Sequence, residues 1–345
     1  VRAIVNAVGE TGKGIFEIAG ESPGRSPERN REYHDRLRDL AVESGVTQTW
    51  GMFSVKAAPE IWRPYFDLLD ETAAAGGRMF AQVHSRGLNN ILSFESATPY
   101  DNWELWSDIR ALPMDEQKVR LGDPATKAKL VEIANREYTG PRIVGAEIRP
   151  PDWDYVFPMD DMSYDKPSMA QIAKEKGVDP VELMIDMALE RDLKMFFRAP
   201  IANENQDHVL EMIKHPRSVV TFSDSGAHVS QIMDSSLQTH LLSHWVREKQ
   251  ALTLEEAVKQ ITYNTATLWG LHDRGLLREG MAADVVVFDP ETIGPNMPEV
   301  LNDLPAGAMR LKQTASGILN TVVNGEIFLT NNEHSGATAG QLLRS

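Results

Sequence analysis

Three short β-prone segments, residues 14–19, 46–53 and 78–84, alternate with two helical ones, 27–44 and 60–75. Strands alternating with helices of ten to twenty residues indicate βαβ units and a parallel sheet. The alternation continues. Strands are expected at 142–149, 195–201 and 218–221, and helices at 113–135, 168–176, 179–192, 204–214, 239–248 and 254–269. Ser168, Asp123 and Asp179 read as N-caps, the last two followed by Pro at the first helical position. The long stretch 85–108, rich in Asn, Ser, Pro and Trp, reads as a binding loop or lid, and 150–167 as an acidic, aromatic loop. After Gly270 the style changes to glycines and short apolar runs. Asn324-Gly325 between two such runs is a hairpin signal.

The organisation expected is an α/β part over 1–274, a small β module over 275–330 and a tail over 331–345. The chain of 345 residues is long enough for a barrel of about 250 residues plus a small domain. Residues 1–9 read as the last turns of a helix, and Val1 is not an initiator Met. The expectation is therefore a segment from the interior of a longer protein.

Composition narrows the function. A net charge of −15 disfavours nucleic acid, because phosphate binding rests on Lys and Arg displacing counterions. With no cysteine there is no thiolate ligand, thiol nucleophile or disulfide. No apolar run approaches the roughly 20 residues of a membrane span. A soluble, cytoplasmic protein acting on a small molecule is expected. G-x-G-x-x-G, the P-loop and G-x-S-x-G are all absent, which removes support for nucleotide binding and for a serine nucleophile elbow.

The chemistry-bearing groups gather at strand exits. Asp224 lies in SDSGAH, directly after the β-branched run ending at Thr221. A carboxylate there can ligate a metal or carry a proton, or it can simply cap the turn. His228 follows in the same turn. His84 ends the 78–84 strand, Lys56 follows the 46–53 strand, and Arg149 ends 142–149; each suits a substrate contact or a structural ion pair. His240 and His244 have the i, i+4 spacing of a shared helix face, but the Glu of a zincin helix is replaced by Leu241.

The runs SDSGAH, THLLSHWVRE, LTLEEAVKQITYNTATLWGLHDRGLLREGMAADVVVFDP and VVNGEIFL resemble the amidohydrolase superfamily, most closely its N-acyl-D-amino-acid deacylase (D-aminoacylase) branch. The resemblance runs from about Gly12 to the C-terminus and is most specific over 221–290. It implies the C-terminal portion of an (α/β)8 TIM-type barrel with a small β-sandwich, zinc or another divalent metal, and hydrolysis of an amide. It matches Asp224 to a catalytic aspartate and metal ligand, and Lys56 to a lysine that contacts the substrate carboxylate. The branch's H-x-H pair is absent, and no histidine stands near Glu17 or over 51–56. These departures imply ligands upstream of Val1 or on a partner chain, or a reduced site. Two alternatives accompany this reading: a non-catalytic barrel serving as a subunit or homo-oligomeric scaffold, and a barrel hydrolase or lyase acting on a cyclic amide or other substrate.

Overall fold

The computed structural model describes residues 1–19, 26–137, 151–233 and 235–343. The expected 142–149 strand and Arg149 lie outside them. Helix Arg2–Glu10 leads into β1 (Ile15–Glu17), β2 (Thr47–Met52), β3 (Met79–Val83), β4 (Leu88–Leu92), β5 (Phe157–Met159), β6 (Phe196–Ala202) and β7 (Ser218–Val220). Strands β1, β2, β3 and β7 form one parallel sheet in that order. Helices Pro27–Ser44, Arg63–Ala74 and Gln206–Lys214 connect or follow them. The first of these begins at Ser26, whose side chain accepts from Arg29 N, and stops at Gly45, where φ is +66° and a side chain would be strained.

The pleat sorts this sheet into two faces. Trp50, Met52, Ala81, Val83 and Val220 pack against Leu37, Leu68, Leu69, Met212 and Leu241 in one apolar core. The opposite face carries Glu17, Thr49, Gly51 and Gln82, aligned through the pairings Glu17 with Thr49 and Gly51 with Gln82. Among the described residues the parallel strands form an open four-stranded sheet.

The stretch 85–108 is not an exposed lid. Every residue of β4 is buried, and Phe94, Tyr100, Trp103 and Trp106 enter a second apolar core with Leu130, Met184 and Phe197. Strand β4 pairs antiparallel with β6, which pairs antiparallel with β5. Trp106 Nε1 donates to Leu130 O at 3.1 Å, satisfying its polar atom inside that core.

Beyond residue 270 the chain forms β8 (Val285–Phe288), β9 (Gly294–Pro295), β10 (Glu299–Leu304), β11 (Ala308–Lys312), β12 (Ala315–Ser316), β13 (Ile318–Val323), β14 (Glu326–Thr330) and β15 (Glu333–His334). All their pairings are antiparallel. The expected hairpin is present: β13 and β14 meet at Asn324-Gly325, both at positive φ as a type I′ turn requires. No helix among the described residues is long and apolar enough to cross a membrane.

Candidate active site

The C-terminal ends of β2, β3 and β7 make a rim, the usual place for chemistry on parallel strands. Phe222 N donates to Val83 O at 3.3 Å, so the β7 exit stays beside the β3 exit. The Phe53 and Phe222 rings touch at 5.7 Å between centroids, joining the β2 exit to the same rim. Asn203, just after β6, closes the group: its N–H donates to Ser54 O at 2.7 Å, its Oδ1 accepts from Ser54 N at 2.9 Å, and its Nδ2 donates to Arg86 O at 3.3 Å.

Asp224 sits on this rim, partly exposed, with its backbone carbonyl accepting from Ala227 N at 2.9 Å. Its carboxylate has no hydrogen-bond or ion-pair partner among the described residues. It is therefore available to a ligand. His228 is exposed at positive φ, and no hydrogen bond or ion pair joins it to Asp224. Downstream of the turn, Ile91 N donates to Gln231 O at 2.7 Å and Leu311 N donates to Val229 O at 2.8 Å. Those bonds tie the turn's exit to β4 and to β11.

His84 is buried at the exit of β3. Its Nδ1 accepts from Arg86 N at 3.1 Å, which puts the proton of the neutral ring on Nε2. Ser85 and Arg86 are pinned to the chain around residues 236–245. Ser85 Oγ donates to Leu237 O at 2.5 Å, Trp245 Nε1 donates to Ser85 O at 2.6 Å, and Arg86 Nη1 donates to Ser236 Oγ at 2.5 Å.

Lys56 lines a cleft of about 740 Å³ walled by Val55, Leu92, Tyr155, Pro200 and Ile201. Its ammonium pairs with Asp152 and lies 4.4 Å from the Tyr155 ring centroid. The Asp152 hydrogen bond raises the lysine pKa above its ordinary value, so Lys56 is a cation.

The expected histidine ladder takes an unexpected form. The helix Leu237–His240 continues directly as the π-helix Leu241–Glu248, and the i, i+4 spacing puts His240 and His244 on one face. His240 and His244 therefore stack at 4.8 Å with planes 16° apart. His244 Nδ1 meets Glu248 Oε2 at 3.0 Å. The rings pack on Tyr164, and His244 also meets Trp245 edge-on. Burial pushes both imidazoles below their ordinary pKa.

Three polar groups on the sheet face were not among the expected site residues. Gln82 Nε2 donates to Glu17 Oε1 at 2.8 Å, and its Oε1 accepts from Thr221 Oγ1 at 3.3 Å. Glu17 and Gln82, each a lone polar residue in an otherwise apolar strand, were the available signal. Among the described residues no three His, Asp or Glu side chains converge to hold a metal ion. The described donors do not by themselves fit a metal centre.

Residues 158–328 match the amidohydrolase family model. An N-acyl-D-aspartate deacylase of Alcaligenes xylosoxydans xylosoxydans is 31% identical over 125 residues, which are 36% of this chain and 21% of the relative. A D-aminoacylase of the same organism is 34% identical over 103 residues, 30% of this chain and 19% of the relative. The fold is similar to that of a Bordetella bronchiseptica N-acyl-D-glutamate deacylase solved with zinc and a phosphonate mimic of the tetrahedral intermediate. That likeness has a TM-score of 0.55 at 16% identity, and covers 100% of this chain and 60% of the solved one. Residues 158–328 belong to the amidohydrolase family, within which the chain is similar to the N-acyl-D-amino-acid deacylases.

Proposed function

We propose that the protein hydrolyses the C–N bond of an N-acyl amino acid or a related amide, with Asp224 moving the proton. The observation that carries this reading is the unpartnered Asp224 carboxylate in SDSGAH at the exit of β7. The four parallel strands are then one arc of an (α/β)8 barrel, and the C-terminal strands belong to its small sandwich. Asp224 takes a proton from the attacking water as oxygen bonds to the amide carbon. It returns that proton to the leaving nitrogen as the C–N bond breaks, giving a carboxylate and an amine.

Lys56, His84 and His228 are the substrate-facing groups in this proposal, and Arg149 joins them outside the described residues. Lys56 exchanges Asp152 for the substrate's carboxylate. His84 presents Nε2–H as a hydrogen-bond donor. The zinc of the Bordetella deacylase complex comes in for the whole protein, as zinc or another divalent metal, because the described residues bring no three donors together. The roles given above belong to this chain's own side chains.

Asp224→Asn in the whole protein tests the proposal. General acid–base catalysis contributes roughly 10²–10⁴-fold, so turnover of N-acyl-D-amino acids should drop by at least about 100-fold. Unchanged turnover on every hydrolysed substrate refutes the role.

A second reading, a non-catalytic amidohydrolase subunit, is favoured by the lack of three converging donors among the described residues. Metal analysis after metal-supplemented purification separates the two. A stoichiometric transition metal on the whole protein supports the enzyme, and its absence supports the scaffold.

A further inference from the structure

Behind the rim lies a polar cluster assembled from five separated segments. Arg86 follows β3, Asn89 lies in β4, Tyr164 precedes the helix Met169–Lys176, Arg198 lies in β6, His240 ends the helix Leu237–His240 and His244 lies in the π-helix Leu241–Glu248. Arg86 is 0% exposed and Arg198 is 5% exposed. A buried cation is costly unless an anion and hydrogen bonds compensate it.

Among the described residues neither guanidinium has a carboxylate partner. Arg86 donates to Ser236 Oγ and, through Nε, to Tyr164 Oη at 3.2 Å, while its Nη2 has no partner among the described residues. Arg198 donates to Ser163 O at 3.5 Å and lies 3.6 Å from the Tyr164 ring centroid. Of the described carboxylates nearby, Asp165 is engaged with Lys249 and Glu248 with His244.

The tyrosine oxygen is surrounded by donors. Asn89 Nδ2 is 3.4 Å from Oη, and its amide orientation is fixed because the same Nδ2 donates to Gly87 O at 2.5 Å, where an amide oxygen would repel the carbonyl. A guanidinium has no acceptor. Tyr164 Oη thus accepts from two donors, and no protein group among the described residues accepts a proton from it. The two imidazoles beside the ring, 4.9 and 5.4 Å away, add no competing positive charge while burial keeps them neutral.

We propose that Tyr164 is a phenolate at neutral pH, the counter-charge of the buried Arg86 and Arg198, and that it acts through Arg86 as a positioning residue for His84. Burial by itself would raise the phenol's pKa, but the Arg86 and Arg198 charges, with the Asn89 and Arg86 hydrogen bonds, bring it below the ordinary value. Arg86 carries the effect to the rim. Its Nε is held by the phenolate, its Nη1 by Ser236, and its backbone N–H sets the His84 tautomer. The phenolate stands independently of the proposed hydrolysis; only the catalytic use of His84 rests on that reading.

Ultraviolet titration of the whole protein tests the charge. One equivalent of tyrosinate absorption is expected at neutral pH in the wild type and none in Tyr164→Phe. A wild type without tyrosinate absorption until alkaline pH overturns the proposal, as does a tyrosinate band that persists in Tyr164→Phe. NMR of ζ-carbon-labelled tyrosine on the wild type needs no variant to fold. One of the seven tyrosines of this sequence should resonate as a phenolate, and a spectrum with neutral phenols alone refutes it. For the positioning role, imidazole nitrogen NMR should show the Nε2–H tautomer of His84 losing its dominance in folded Tyr164→Phe. An unchanged tautomer there overturns that role. Neither readout depends on turnover, so failure here and failure of the proposed hydrolysis are distinguishable.

Discussion

Gln82 donates to the Glu17 carboxylate at 2.8 Å across the full width of β2, above the register position held by Gly51. Gly51 has no side chain to block that path, and the Phe222 ring fills the space a Cβ would need, 2.2 Å from its ideal position. Gly51→Ala must therefore push the ring. Overpacking of this kind costs about 1–3 kcal/mol. A lowered urea midpoint is expected, together with reduced turnover in the whole protein, since Phe222 lies two residues before Asp224.

Gln82→Leu removes the donor to Glu17 and the acceptor of Thr221 Oγ1. Leaving part-buried polar groups unsatisfied costs about 1–3 kcal/mol. Chemical denaturation should show that loss, and Gln82→Glu should not rescue it, because it places a second carboxylate against Glu17.

Trp245→Phe keeps most of the ring packing but strips the donor from Ser85 O. The expected cost is again about 1–3 kcal/mol, from a buried carbonyl left without its partner. Because Ser85 adjoins His84, amide hydrogen exchange should rise locally at residues 84–87 in the variant.

The protein should lose stability as pH falls below about 6.5. Burial holds His34 and His240 below that ordinary value, so the folded state keeps them neutral. The unfolded chain binds protons at about 6.5 and the native state only at lower pH. Stability from this source is full above the unfolded value and declines as pH falls toward the folded values, by up to about 1.4 kcal/mol per pH unit for each such histidine. Urea midpoints on either side of pH 6.5 check the sign.

Lys56→Ala breaks an exposed pair with Asp152, and exposed pairs are worth at most about 1 kcal/mol. Stability should barely change. If Lys56 takes the substrate carboxylate, kcat/KM for N-acyl amino acids should fall about 10-fold or more, as expected for a hydrogen bond to a charged group worth about 1.5–3 kcal/mol. Neutral amide substrates should be spared.

Much of the parallel sheet was legible because its signals are local. Ser26 and Gly45 punctuate helix Pro27–Ser44, and Ser168 forms a capping box with Gln171. The antiparallel strands β4 and β5 were not legible. Leu88–Leu92 has two asparagines at its centre and polar flanks, and becomes a strand only because β6 and the Gln231 carbonyl pair with it. The i, i+4 histidines were visible, but the π-helix that follows His240 depends on tertiary packing, not spacing. Asp224 could be singled out from the turn chemistry of SDSGAH. The Arg86, Tyr164 and Arg198 cluster could not, since its members are far apart in the chain and meet only in the fold.

The bond from Leu311 to Val229 makes β11 a lever on the Asp224 turn. The carboxylate end of that turn is unpartnered, while its far end is fastened both to β4 and to β11. A displacement of the C-terminal strands is thus transmitted to Asp224 through five residues of backbone. Truncations or fusions at the C-terminus that disturb β11 would detune the rim without touching it.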